Sequence, residues 1–444
     1  MKFKINIPND VSEILDKLNN AGYKAYVVGG CVRDTILNKT PNDWDICTNA
    51  LPDKIIEVFK EYEVIPTGLQ HGTVTVVLNH NPYEVTTFRH DGQYSDFRHP
   101  DEVEFTTDLI EDLSRRDFTI NAMAYNPQEG LIDPFSGMAD IENKFIKCVG
   151  DPFNRFSEDA LRVLRAIRFS CQLEFTIDPA TALAIRKMYH RLDFISTERI
   201  TAELNKMIVC SSFYQNFIDM PEVFSHIIPG LNVTVGFHQL NPHHIYTVYD
   251  HTAYAISYSQ KDLITKLALL FHDIGKPKCV TYDSEGVAHY YGHGAISSEI
   301  ADKVMRSMKY DNNTREKVVE LIKYHDATIE PKHKYIRRWL NRLGEEQFRR
   351  LLNIRVADIM AQKRILNDER LYRVALALKL TDEILTAEEC FTLKDLAING
   401  KDLLALGIPE GKEIGRILNQ LLDMVMDDEI KNDKDELLKF VNNL

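Results

Sequence analysis

Two aspartates separated by a tryptophan, Asp43-Trp44-Asp45, follow closely behind a Gly29-Gly30 pair and an Arg33-Asp34 dipeptide. On a strand, residues two apart project from one face, so a strand over residues 44–47 and its approach points Asp43 and Asp45 together and Trp44 into the opposite layer. Two such carboxylates repel unless a cation lies between them. A hard divalent ion such as Mg²⁺ is held by one or two carboxylates plus substrate phosphates, and there it assists an in-line phosphoryl displacement. Glu84, in PYEVTTF on a neighbouring predicted strand, is a third carboxylate able to reach the same ion. The glycine pair lies between an apolar run, 25–28, and a helix start over 32–37. Backbone without side chains can approach a ligand closely there, and the orphan N–H groups of the helix start favour an anion. Arg33 adds a forked cation suited to a phosphate, while Asp34 pairs with a neighbour. Taken alone, the glycines also fit an ordinary turn and the aspartates an exposed loop.

Further on, SEDALRVLRAIRF repeats Arg162, Arg165 and Arg168 at every third position beside a stripe of Leu161, Leu164 and Ile167. This spacing predicts a helix that buries its apolar stripe and presents a cationic one. Asp159 just precedes it. A carboxylate accepts from an exocyclic amine and an arginine donates to ring acceptors, so Asp159 with Arg162 matches the Watson–Crick edge of cytosine or adenine. Uracil and guanine place an oxygen where the carboxylate needs a donor.

A separate constellation gathers His251, His272-Asp273, His293 and His325-Asp326 from successive segments, with Asp358 in VADIMAQ beyond them. Imidazoles and carboxylates of this kind hold one or two divalent metals and turn a bound water into a nucleophile. A lone histidine is more often structural, but four placed around a His-Asp dipeptide are not lone.

The elements that must position these groups follow from the pattern. A chain of 444 residues exceeds one typical core and predicts two to four domains. Up to about residue 145, strand and helix signals alternate, with HGTVTVVLN and PYEVTTFRH joined by a tight Asn-His-Asn-Pro turn: a small α/β (α+β) domain with a mixed sheet. Beyond residue 150, RFSEDALRVLRAIRFSCQL, DPATALAIRKMYHRL and STERITAELNKMI read as long helices, and the remainder is mostly helical. Boundaries are expected at 1–145, 146–225, 226–365 and 366–444. Seven scattered cysteines without a C-x-x-C pair predict reduced thiols, neither a disulfide framework nor a zinc knuckle. No apolar run spans a bilayer and the start lacks a signal core, so no membrane partner and a cytoplasmic location are expected. The net charge of −13 argues against indiscriminate nucleic-acid binding but leaves room for a local basic face.

The segments GGCVRD with DWD, HGTVTV with EVTTF, RRDFTINAMA, DPFSGMADI, EDALRVLRAIRF and ERITAEL occur in unbroken order over about the first half of the chain. In these the chain resembles the class II tRNA nucleotidyltransferases, the CCA-adding enzymes of the polymerase-β-like superfamily. The resemblance implies a head holding the metals, a neck reading the nucleotide, and a body and tail gripping the tRNA acceptor arm. It implies Mg²⁺ at Asp43 and Asp45, CTP and ATP as substrates, and nucleotide contacts from the Gly29-Gly30 turn, Arg33, Arg116, Asp159, Arg162, Arg165 and Arg168. The loop RHDGQYSDFRHPDEVEF, with Asp96 and Arg98, resembles the one that serves the switch from C to A, so full CCA addition is expected. A bacterial poly(A) polymerase shares the head and neck motifs but usually carries basic extensions, which the acidic end DDEIKNDKDELLKFVNNL lacks. The later histidines are similar to the HD phosphohydrolase pattern at His251, His272 and Asp273, which implies a transition metal (Ni²⁺, Co²⁺ or Mn²⁺). The last ligand is either Asp326 or Asp358, with His293 and His325 as further ligands. An HD hydrolase whose N-terminal half recruits RNA is the other reading.

Overall fold

The computed structural model describes residues 4–91, 103–363 and 367–443. It divides into two compact units. One runs to Asn216 and includes Glu222–Ile227; the other comprises Phe217–Pro221 and the chain from Ile228 onward.

The first unit is built on a seven-stranded sheet: β1 (Ala25–Val28), β2 (Ile46–Thr48), β3 (Glu63–Gly68), β4 (Thr73–Leu78), β5 (Asn81–Thr87), β6 (Ala124–Asn126) and β7 (Gly130–Ile132). Their order is β3-β4-β5-β2-β1-β6-β7, and only β2 and β5 run parallel, so the sheet is mixed as expected. The β4–β5 hairpin closes through Asn79 and His80, both at positive φ (48° and 66°), the two-residue turn whose twist matches that of its strands. That turn sets the register Thr75↔Glu84, and the parallel register Ile46↔Val85 places Glu84 level with Asp45. The amphipathic helix Asn9–Asn20 buries Val11, Ile14, Leu15 and Leu18 at helical spacing.

After residue 150 the unit becomes helical. RFSEDALRVLRAIRF is two helices and not one: Pro152–Glu158, capped by Asp151, and Arg162–Leu173. Asp159 sits in extended conformation at the break (φ −135°, ψ 106°). Leu161, Leu164 and Ile167 are buried as the spacing predicts.

The second unit is helical, and side-chain caps fix where its helices begin. Thr247 caps Val248–Tyr258, Asp262 caps Leu263–Phe271, and Asp311 caps Asn312–Tyr324. The helix His333–Met360 is interrupted at Gly344 (φ 73°). Toward the chain end a separate core gathers Leu403, Leu421 and Leu437. No helix among the described residues is long and apolar enough to cross a membrane.

Gly275 marks a close approach of main chains in this unit. A Cβ there would lie 2.8 Å from both the amide N and Oγ of Ser297 and 3.1 Å from the carbonyl O of His293. Gly275→Ala is therefore expected to lower the thermal midpoint in calorimetry, since forcing a methyl against packed backbone costs about 1–3 kcal/mol.

Candidate functional site

Asp43, Trp44 and Asp45 approach β2 without joining it. The ladder starts at Ile46, and the last bond on this side is donated by Val28 N to the Asp45 carbonyl at 3.0 Å. Beyond that point β1 turns away at Gly29, so Trp44 has no partner on this side and the expected strand over 44–47 begins later. Trp44 also departs from the expected opposite layer: half-buried, it lines the same cavity as the two aspartates. This cavity of about 650 Å³ is walled by Asn42, Asp43, Trp44, Asp45, Thr75 and Glu84. Among the described residues, the side chains of Asp43, Asp45 and Glu84 have neither a hydrogen bond nor an ion pair. Desolvation raises the Asp45 pKa above its ordinary value; Arg116 opposes this and Asp43 adds to it. Three unpartnered carboxylates facing one cavity are the donor set of a hard divalent cation.

Gly29, which follows the Val28 that bonds to Asp45, has φ 81°, a conformation that favours glycine. A Cβ at Gly29 would come 3.0 Å from Arg116 Nη1, so Arg116 lies directly over the glycine turn. Burial disfavours the Arg116 cation, but Asp112 and Asp45 outweigh it and its pKa rises. Gly30 opens the helix Gly30–Ile36, which carries Arg33. Arg33 is buried: it pairs with Asp34 at 2.8 Å, donates from Nη1 to Asn121 Oδ1 at 2.7 Å, and lies 5.1 Å from the Phe169 ring centre.

The cationic stripe does not face solvent. Arg162 and Arg168 are both 8% exposed, because Val163, Leu164, Ala166, Ile167 and Phe169 bury the helix on nearly every side. Each arginine instead meets an acid. Arg162 donates to Glu158 at 2.5 Å and, from Nη2, to the Arg115 carbonyl at 2.9 Å. Arg165 grips Asp117 Oδ2 through Nε (2.9 Å) and Nη2 (2.5 Å), and Arg168 donates to Glu203 at 2.5 Å. Arg165 and Arg168 also lie 5.4 and 4.1 Å from the centre of the Phe169 ring that Arg33 approaches. Asp159 Oδ1 accepts from Leu161 N at 3.0 Å, and its Oδ2 lies 3.5 Å from Arg199.

In the second unit the structure brings the expected histidines together. Each of the four places Nδ1 against a main-chain carbonyl: His251 on Ala361 (3.3 Å), His272 on Leu269 (2.7 Å), His293 on Tyr290 (2.8 Å) and His325 on Ile322 (2.7 Å). A carbonyl only accepts, so Nδ1 carries a proton, and in its neutral form each ring turns an Nε2 lone pair inward. His272 and His325 follow directly after helices, where last-turn carbonyls lack partners. The Nε2 atoms meet in pairs, His251 with His272 at 3.4 Å and His293 with His325 at 3.0 Å. Two groups could each hold a metal, His251–His272–Asp273 and Asp273–His293–His325, and they share Asp273. Of the two aspartates expected as alternatives, Asp358 places its Oδ1 3.0 Å from His251 Nε2, whereas Asp326 is exposed and lines the neighbouring cavity. Opposed lone pairs beside buried carboxylates fit a metal better than they fit one another. Burial and the neighbouring histidines lower the pKa of His325 to about 3, which keeps that ring neutral.

Several residues that shape these sites were not singled out in the sequence. Lys276 lies 2.7 Å from Asp273 Oδ2, and His244 lies beside His251 with ring centres 5.1 Å apart. Arg199 and Glu203 are one helical turn apart in ERITAEL and reach Asp159 and Arg168 from a single face. Asp117 and Asn121 stand in the same i, i+4 relation within RRDFTINAMA. That spacing was the available signal. Asp96 and Arg98 lie outside the described residues.

Family models match three stretches: the Poly A polymerase head domain at residues 25–147, an RNA and SrmB-binding site of polymerase A at 174–233, and tRNA nucleotidyltransferase domain 2 at 291–441. The CCA-adding enzyme of Pediococcus pentosaceus is 34% identical over 98% of this chain and 98% of its own length. The chain belongs to the CCA-adding enzymes. Another CCA-adding enzyme, from Listeria monocytogenes, is 51% identical over 44% of this chain and 49% of its own. The solved CCA-adding enzyme of Bacillus stearothermophilus, in complex with CTP, has a TM-score of 0.72 and 27% identity over 98% of this chain and 97% of that one. The CCA-adding enzyme of Thermotoga maritima complexed with tRNA shares the fold, with a TM-score of 0.63 and 19% identity over 100% and 99%. CCA-adding nucleotidyltransferases use a divalent metal, typically Mg²⁺.

The link between the Arg33 helix and the Arg165 helix is testable through Asp117. Burial pushes its carboxyl up, but Arg165 and Asn121 outweigh burial and lower it to about 2. Because the folded value lies below the unfolded one of about 3.9, its contribution is present above pH ~4 and fades as pH falls toward ~2. Asp117→Asn is expected to cost on the order of 1–3 kcal/mol near neutral pH, with the gap from wild type closing between pH ~4 and ~2 in denaturant titrations.

Proposed function

We propose that this chain completes the 3′ end of tRNA by adding CCA from CTP and ATP without a nucleic-acid template. The observation that carries the reading is the set of three unpartnered carboxylates, Asp43, Asp45 and Glu84, on one cavity, with Asp45 in the field of the Arg116 cation that lies over Gly29. The same compact unit holds Asp159 and Arg162 in fixed positions. Relatives named as CCA-adding enzymes, and solved ones bound to CTP, ATP or tRNA, support the substrates.

In this reading the RNA 3′-hydroxyl attacks the α-phosphorus of the nucleotide and pyrophosphate departs. Asp43 and Asp45, with Glu84 adjoining, would hold Mg²⁺, which when bound would supply charge neutralisation and lower the pKa of the attacking hydroxyl. The N–H groups of the Gly29-Gly30 turn and the Arg33 and Arg116 cations bind the triphosphate. Asp159 accepts from the exocyclic amine of cytosine or adenine, and Arg162 donates to the ring. Glu158 and the Arg115 carbonyl set the plane of Arg162, while Arg199 and Leu161 N orient Asp159. Arg165 and Arg168 act behind them, as supports of the pocket wall. We assign head, neck, body and tail to residues 1–145, 146–225, 226–365 and 366–444, with the tRNA acceptor arm held by the last two.

The decisive assay offers tRNA ending before CCA with one labelled nucleotide at a time and Mg²⁺. C is expected to enter first and then A, with no sustained U or G. Runs of A would favour a poly(A) polymerase, and no extension would overturn both. Asp43→Ala is expected to lower the incorporation rate by ~10³-fold or more, as loss of several kcal/mol of charge stabilisation requires, while tRNA binding persists.

A second activity is favoured by the two ligand groups that share Asp273. We propose that the body hydrolyses phosphoesters with Ni²⁺, Co²⁺ or Mn²⁺ held by His251, His272, Asp273, His293, His325 and Asp358. Elemental analysis is expected to find bound transition metal in wild-type protein and less in His272→Ala, with phosphatase activity falling in parallel. Metal-replete wild type without hydrolysis would sink this activity and leave CCA addition untouched.

A further inference from the structure

Beside the histidine–aspartate cluster lies a cavity of about 220 Å³ lined by Thr328, Ile329, Leu352, Val374, Ala377 and three arginines, Arg355, Arg370 and Arg373. None of its lining residues among the described ones is acidic. Among the described residues, none of the three arginines has an ion-pair partner, although most other arginines of this unit are paired with acids. Burial lowers the Arg355 pKa, and Arg370 and Arg373 lower it further, against the pull of Asp358 and Asp326. Three forked cations lining one cavity without a direct ion-pair partner are costly to hold together unless an anion joins them.

The cavity is wired to the metal-ligand cluster at two points. Arg355 Nη1 donates to the carbonyl of His325 at 2.9 Å. Arg370 Nη1 donates to Gln362 Oε1 at 2.5 Å, Gln362 Nε2 donates to Asp358 Oδ1 at 3.0 Å, and that oxygen lies 3.0 Å from His251 Nε2. Arg370 also lines the neighbouring cavity that contains Asp273, His293 and His325. A ligand anion in the arginine cavity therefore sits next to the space onto which the metal ligands open.

We propose that Arg355, Arg370 and Arg373 form a phosphate-binding site that orients the phosphoryl group of a substrate toward this cluster. Guanidinium groups are the donors of choice for phosphate because each offers two parallel N–H bonds. The volume is sufficient, exceeding the ~150 Å³ at which an interior cavity already admits a benzene-sized ligand. The proposal rests on the phosphohydrolase reading for the direction in which the phosphate is presented, but binding of the anion itself needs only the arginines. The substrate class it implies is a phosphomonoester or cyclic phosphate whose organic part extends outward, with a free small phosphate and an RNA 3′-terminal phosphate sharing that chemistry.

Isothermal titration of the full-length protein with inorganic phosphate tests it, both as purified and after chelation. Phosphate is expected to bind in both preparations and in His272→Ala, and to bind at least tenfold more weakly in Arg355→Gln and in Arg373→Gln. Arg373 is exposed, so its variant tests the site even where Arg355→Gln fails to fold. Lys379→Gln, which removes a charge from the same helix away from the cavity, is expected to leave binding unchanged. No binding at millimolar phosphate, or equal binding in Arg373→Gln, overturns the proposal. Binding that vanishes on chelation but survives Arg373→Gln places the phosphate on metal, so the arginine site fails while the metal reading stands. Binding that persists in a protein found to hold no metal does the reverse. Competition by an RNA oligonucleotide with a 3′-phosphate, compared with the same RNA ending in a hydroxyl, identifies which source the site prefers.

Discussion

Asp117 is buried, and a carboxylate in such a place is stable only while donors with positive charge surround it. Here Arg165 supplies two N–H groups, Asn121 supplies a third, and Asn121 in turn accepts from Arg33. The helix Gly30–Ile36 after the glycine turn and the helix Arg162–Leu173 are thus parts of one hydrogen-bonded chain. Arg116 lies over Gly29 and Arg115 offers its carbonyl to Arg162, so the short segment Arg115–Asp117 touches the glycine turn, Arg162 and Arg165 of the proposed nucleotide site. The geometry of the pocket depends on satisfying that one buried acid.

The second unit meets a related problem with imidazoles. Four of them direct Nδ1 at main-chain carbonyls, which in the neutral form leaves the other nitrogens as acceptors. They share their space with two buried carboxylates, Asp273 beside Lys276 and Asp358 beside Gln362. In the reading proposed above, the remaining acceptors take a cation and the neighbouring arginine cavity takes an anion.

Much of this was legible beforehand because it rests on local periodicity and residue type. The sheet strands, the hairpin turn at Asn79–His80, the apolar stripe of Leu161, Leu164 and Ile167, and the gathering of the four histidines all follow from spacing. What was not legible depends on distant partners. The burial of Arg162 and Arg168 could not be read from a three-residue repeat, because it is set by acids at 158 and 203 and by packing around Phe169. The break at Asp159 was hidden within a continuous helical pattern. The position of Trp44 depended on where β1 turns, and the choice of Asp358 over Asp326 depended on which helix faces His251.

Phe169 presents one aromatic ring to three cations, Arg33, Arg165 and Arg168. A ring has a single orientation at any moment, so the positions of these three side chains are not separate variables. Substitutions among them share a partner and should combine non-additively. Evolution around this ring is therefore constrained in pairs and triples: a change that one arginine site tolerates alters what the other two can tolerate, even though Arg33 follows the glycine turn and the other two stand more than a hundred residues away.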